Sequence, residues 1–154
     1  VRKLGLGSVA EKIPEVELYE SAIEDFKKEQ YKKAREKFYR LLDDFPKSEY
    51  ADNAQFWVAE TYYREADYLK AISEYQKVVS NYPDSDKISS AILKQGYAFC
   101  ELGEESDCEI FLRRVVEKYP DTEQAKLASK KLEKVETEKA PKLEQKAPEK
   151  KEKK

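Results

Sequence analysis

Cys100 and Cys108 are the only cysteines of a 154-residue chain that contains no histidine. Without imidazole there is no Ser-His or Cys-His nucleophile, no histidine general base and no His-containing metal site. Two thiolates also fall short of the four N/S ligands of a structural zinc site. Carboxylates are plentiful but lie in Lys/Glu mixtures, as solvated helix-surface pairs do. These residue types therefore point to no catalytic centre, no metal and no cofactor. What the two cysteines can do is join each other. They flank "ELGEESD", and symmetry about Glu104 would bring them to similar heights on antiparallel helices. A bridge requires Cα atoms within about 7 Å.

Composition suits a helical protein. Hydrophobic and charged residues each make up 40% of the chain, and no apolar run approaches the roughly 18 residues a membrane helix needs. A net charge of −2 offers no basic face for nucleic acid. Charge is unevenly spread: Ser129 to Lys154 holds ten Lys and six Glu, a block that reads as a solvated tail. The chain starts at Val1 and has no Met, so the expectation is a processed or recombinantly excised product, from which any signal peptide would have been removed.

The elements that must position any site repeat. Pro46, Pro83 and Pro120 are spaced by 37 residues, each preceded by an aromatic, Phe45, Tyr82 or Tyr119. At the same offset Ala34, Ala71 and Cys108 coincide, as do Phe38, Tyr75 and Leu112, then Leu41, Val78 and Val115. Earlier in each unit come Ala22, Ala59 and Gly96, then Phe26, Tyr63 and Cys100. A fixed period of this length signals stacked supersecondary units.

Each unit reads as two helices. "SEYADNAQFWVAETYYREA" has apolar residues three and four apart, Asp67 marks a break, and "YLKAISEYQKVVSNY" resumes the helical period until Pro83. Small residues at 59 and 71 suit a close helix crossing. Proline lacks an N–H and ends the second helix. Ser48, Ser85 and Thr122 are expected to cap the helix that follows by accepting from its free N–H groups. One helix pair cannot bury its own apolar face, so the units stack into a solenoid. "TEQAKLASKKLEKV", 122–135, reads as a final capping helix with Ala125, Ala128 and Leu132 inward.

The expected organisation is a flexible lead-in at 1–14 and a repeat domain at 15–135. The repeats span about 15–47, 48–84 and 85–121, followed by the capping helix 122–135. The Lys/Glu/Pro-rich tail 136–154 is expected to be disordered or a frayed helix, because it buries too little apolar surface to offset the entropy of ordering.

Ala59, Tyr62, Tyr68, Ala71, Tyr75 and Pro83 fall in the order and spacing of the tetratricopeptide repeat, and the chain resembles that family with three extra residues at the joint. The resemblance implies an all-α fold, a short right-handed solenoid of three helix pairs plus the capping helix. "NAQFWVAETYY" and "ILKQGYAFCELG" are similar to stretches of a narrower group, the Tol-Pal-associated periplasmic family of YbgF or CpoB. That likeness implies a periplasmic, non-enzymatic adaptor that coordinates peptidoglycan synthesis with envelope constriction at division. Its implied partners are an inner-membrane Tol component or a peptidoglycan synthase. Members carry a trimerising coiled coil before the repeats, and nothing before Glu15 shows heptads, so a homo-oligomer would depend on an upstream segment. The alternative is a repeat component of an outer-membrane protein or pilus assembly machine.

In this fold the first helix of each pair lines a concave surface. By the repeat register the peptide-binding positions are Tyr19, Ile23 and Phe26, then Phe56, Glu60, Tyr63 and Arg64, then Leu93 and Tyr97. Such rings offer contact area with few torsions to freeze. Trp57 reads as half-buried packing beside them. The clamp of Lys, Asn and Arg by which chaperone-docking members grip a terminal carboxylate is not matched, since this region offers mainly Tyr, Phe, Ile and Glu. In an oxidising periplasm Cys100 and Cys108 could pair. The register, however, turns Cys100 toward the groove and Cys108 into the small packing position, which favours two buried thiols over a bridge.

Overall fold

The computed structural model describes residues 14–145, with side chains described over 14–140. Of the expected lead-in, residues 1–13 lie outside the described residues, as do residues 146–154 of the expected tail. The described residues form helices and no strand: α1 Glu15–Lys27, α2 Tyr31–Asp44, α3 Ala51–Arg64, α4 Tyr68–Asn81, α5 Ile88–Glu101, α6 Glu105–Lys118 and α7 Glu123–Gln145. Each packs on the next along the chain, and α7 also touches α5, so the pairs stack as a solenoid.

The turn inside each pair is built the same way three times. Glu29, Ala66 and Gly103 have φ of 60°, 59° and 77°. They are 37 residues apart. Each is followed by an N–H that reaches back five residues: Gln30 to the Asp25 carbonyl, Asp67 to Tyr62 and Glu104 to Phe99, at 2.9–3.0 Å. This is the left-handed helix ending that glycine normally supplies, and only the third turn uses one. Asp67 then caps α4, its carboxylate accepting from the Lys70 N–H at 3.5 Å.

The joint between pairs is also regular. Phe45, Tyr82 and Tyr119 leave the helix with φ near −130°, as a residue before proline must. Ser48 and Ser85 do not cap the following helix. Their Oγ atoms accept from the N–H of Tyr50 and Lys87, both at 3.1 Å, inside the turn made by the extra residues. The helices begin at Ala51 and Ile88, too far along the chain for either serine to reach a first-turn N–H that way. Thr122 does cap its helix, accepting from the Ala125 N–H at 3.1 Å.

The core follows the period. Ala22, Ala59, Ala34, Ala71, Phe38, Tyr75, Leu112, Leu41, Val78 and Val115 have no exposed surface. In the third pair Gly96 replaces alanine because Leu112 comes close: a Cβ there would stand 2.9 Å from its Cδ2. One pair of positions changes chemistry along the solenoid. Asp25 and Lys37 form an ion pair in the first pair, while Phe99 and Phe111 pack at 4.9 Å in the third. In the second, Glu74 accepts from Tyr39 at 3.0 Å and from Gln55 at 2.7 Å.

The final helix differs from the sequence reading. α7 does not stop at 135 but continues to Gln145. Its continuation leans on α6 through ion pairs of Glu136 with Arg113 at 3.2 Å and of Lys139 with Glu109. Composition alone could not reveal these partners, because they sit 23 and 30 residues away.

Candidate peptide-binding face

Helices α1, α3 and α5 present one face, α1 meeting α3 through Tyr19, Phe26 and Trp57 and α3 meeting α5 through Glu60, Tyr63 and Lys94, with α7 touching α5 next in line. Of the positions expected to line it, Tyr19, Ile23, Phe26, Phe56, Tyr63 and Tyr97 are half-buried and Arg64 is exposed. Leu93 and Glu60 are not available. Leu93 keeps 4% of its surface and belongs to the core of the third pair. Glu60 keeps 7%; it accepts from the Tyr75 hydroxyl and pairs with Lys94 Nζ at 3.4 Å. Both expectations came from the register of the first helix, which places a side chain on a face but cannot see what the neighbouring pair brings to meet it.

Trp57 is the hub of the aromatic part. Its ring meets Phe26 edge-on at 4.8 Å and Phe56 at 6.2 Å, and its N–H donates to the Tyr19 hydroxyl at 3.1 Å. Tyr19 in turn stacks on Tyr50 at 4.9 Å. The rings are therefore held by one another in fixed orientations rather than swinging free.

Cations lie over these rings, and sequence reasoning missed two of them. Lys94 Nζ is 3.9 Å from the Tyr63 ring centre, Lys87 Nζ is 5.7 Å from Phe56, and the Arg64 guanidinium is 5.8 Å from Phe26. Each comes from the helix pair after the ring it covers. Such contacts contribute about 0.5–1 kcal/mol at exposed sites and more when desolvated. The available signal was the register itself, since Lys94 occupies the position of Trp57 one unit on.

Burial sets the electrostatics of the tyrosines. Tyr63 is pushed up to about 12, first by burial and then by the Glu101 charge. Burial alone raises Tyr97. It also raises Tyr19, where the hydrogen bond from Trp57 works the other way. All three are neutral hydroxyls near pH 7, able to donate or accept a hydrogen bond. Among the described residues, no cluster of three His, Cys, Asp or Glu could hold a metal ion. No helix among the described residues is long and apolar enough to cross a membrane. Two clefts lie away from this face, one of about 580 Å³ between α1 and α2 beside Leu18, Ser21 and Lys37, the other lined by Tyr31, Lys33 and Glu65.

The two cysteines are joined. Cys100 and Cys108 form a disulfide between α5 and α6 with Cα atoms 5.0 Å apart, inside the usual range. The reading as two free thiols is corrected, because the turn shared by all three pairs holds these two register positions close enough for one side chain on the groove side and one in the packing seam to meet.

Arrayed helix pairs of this kind define a tetratricopeptide-type repeat fold, here with a half-exposed aromatic face. The chain belongs to the YfiO family, described as outer membrane lipoprotein, whose model matches residues 11–146. Its fold is similar to the first tetratricopeptide domain of human RPAP3. That match is 22% identical, covers 84% of this chain and 95% of that one, and has a TM-score of 0.66. The first such domain of Spaghetti (RPAP3), solved bound to the HSP90 peptide SRMEEVD, is 21% identical over 82% and 93% of the two chains, with a TM-score of 0.66. The Arabidopsis OM64 domain is 18% identical over 78% and 94%, with a TM-score of 0.64. At these identities the likeness shows the fold alone. No curated protein matches the sequence.

Proposed function

We propose that this chain is a non-enzymatic protein-binding scaffold of the bacterial cell envelope, working on the periplasmic side of the outer membrane. The observation that carries the reading is the face of Tyr19, Phe26, Phe56, Tyr63 and Tyr97, which no helix among the described residues covers, in a member of an outer membrane lipoprotein family. Rigid, half-exposed rings are what a protein surface uses to bind a peptide segment with little loss of side-chain entropy. The repeat domain at 15–135 would be the part that binds. Partner recognition at an outer-membrane protein or pilus assembly machine is the role the family membership favours.

A second reading has its own support. The stretches "NAQFWVAETYY" and "ILKQGYAFCELG" resemble the Tol-Pal-associated YbgF or CpoB group, which would place the chain beside a Tol component or a peptidoglycan synthase at division. Capture of partners from a bacterial envelope extract separates the two. Wild type should recover assembly factors, and a Phe56→Ala, Tyr63→Ala double variant with a normal helical spectrum should not. Recovery of Tol components would install the second reading, and equal recovery by both proteins would move the site off this face.

A further inference from the structure

The concave face is not uniform along the solenoid. The 37-residue register carries it onto α7, which packs on α6, touches α5 and so occupies the place of a fourth first helix. Phe56, Leu93 and Lys130 share one register position; Trp57, Lys94 and Lys131 share the next; Glu60, Tyr97 and Lys134 share a third. Rings thus dominate the first two pairs, and lysines take over at α7. Lys130 and Lys134 are exposed, Lys131 is half-buried, and none of them has a carboxylate partner among the described residues. The side chains of Arg64 and Lys87 lie over the Phe26 and Phe56 rings and likewise have no carboxylate partner among the described residues. Glu60, the acid at the centre of the face, is neutralised by Lys94 and so does not repel an anion. Glu101 and Glu138 follow Arg64 at the last register position, which bounds the basic strip on one side. A basic strip on a chain of net charge −2 is a local field, and local fields of this kind select and steer partners of opposite charge.

We propose that the concave face takes an acidic segment of a partner protein in one orientation, with apolar side chains seated on the rings of the first two helix pairs and carboxylates over Lys130, Lys131 and Lys134 of α7. This rests on the reading of the concave face as the binding surface. It differs from a terminal-carboxylate clamp, because the cations form a strip on the last helix and call for several internal carboxylates rather than one chain end. Part of the affinity is therefore screened by salt over about 8 Å at physiological ionic strength.

The test selects a displayed library of random 16-residue peptides against the full chain. Two variants serve as comparisons: Phe56→Ala, Tyr63→Ala and the exposed-surface pair Lys130→Glu, Lys134→Glu. The expected winners are net acidic with apolar residues clustered at one end. Their affinity should fall about tenfold or more in the Lys130→Glu, Lys134→Glu protein and decline with added salt. Neutral or basic winners, or affinity unchanged by the lysine reversals, would overturn the proposal. Loss of those winners in the aromatic variant would still leave the face as the binding surface. Winners bound equally by the aromatic variant, or no winners at all, would overturn both. Thermal melts of each variant separate lost binding from lost folding.

Discussion

Tyr75 donates its hydroxyl to Glu60, and Lys94, from the next helix pair, holds the same carboxylate oxygen at 3.4 Å. Tyr75 is fully buried, so this is a polar clasp inside the joint between the second and third pairs. Glu60→Ala would leave the buried hydroxyl without its acceptor and should cost roughly 1–3 kcal/mol. Tyr75→Phe should cost a similar amount, and the double substitution should cost less than the sum, because each single change already removes the hydrogen bond the two share. Urea unfolding of the four proteins gives the coupling. Strictly additive losses would mean the clasp contributes nothing as a pair.

Alkaline pH should weaken the fold through its tyrosines. Tyr63 is pushed up to about 12, first by burial, and Tyr75 is raised well above its ordinary value, again first by burial and then by Glu60. An unfolded tyrosine titrates near pH ~10. Below that both states keep the proton. Above it the unfolded chain releases protons that the folded chain retains, so stability falls as pH rises from about 10 toward about 12. Unfolding measured across that range should show the decline, and Tyr63→Phe should make it shallower. An unchanged slope in the variant would show that Tyr63 ionises as freely folded as unfolded.

The three left-handed turn residues invite a paired test. Gly103 has open space around its Cα, so Gly103→Ala meets backbone strain alone and should cost about 1 kcal/mol. Ala66, at φ 59°, already bears that strain, and Ala66→Gly should recover up to about 1 kcal/mol after the entropy glycine adds to the unfolded chain. Melting temperatures should move in opposite directions. Movement of both in the same direction would show that the turns are not equivalent.

Reduction of Cys100–Cys108 should loosen the last pair. In the first two pairs the aromatic at this register position, Phe26 or Tyr63, meets a residue of the following pair, Trp57 or Lys94. In the third, Cys100 is tied instead to Cys108 of its own hairpin. A short loop of this kind stabilises by about 2 kcal/mol in the chain-entropy picture. A dithiol reductant, or the Cys100→Ser, Cys108→Ala variant, should lower the melting temperature, with the largest gain in amide exchange on α5 to α7. Exchange rising equally in α1 and α2 would contradict a local staple.

Much of this fold is legible as spacing. The recurring prolines, the small residues at 59 and 71 and the break at Asp67 report backbone geometry that each unit must reproduce. What the period could not show depends on residues that break it. Lys94 replaces the aromatic of the previous unit and so captures Glu60; Cys100 and Cys108 stand where the earlier units have an aromatic and an alanine and join across the turn; Arg113 and Glu109 extend α7. Ser48 and Ser85 occupy the position of Thr122 yet act in the turn, because the helix after each of them starts farther along the chain. The aromatic face was readable as a set of positions, whereas the division between its open and its buried members was not.

The central claim is that the first-helix face is where a partner protein lies. Site-specific photo-crosslinking in living cells tests it most directly, with a benzophenone amino acid introduced at Arg64, exposed on α3, and separately at Ile110, which is 52% exposed on α6. The account predicts a discrete adduct to an envelope protein from position 64 and none from position 110. Adducts from position 110 alone would contradict it and place the interaction on the second-helix face.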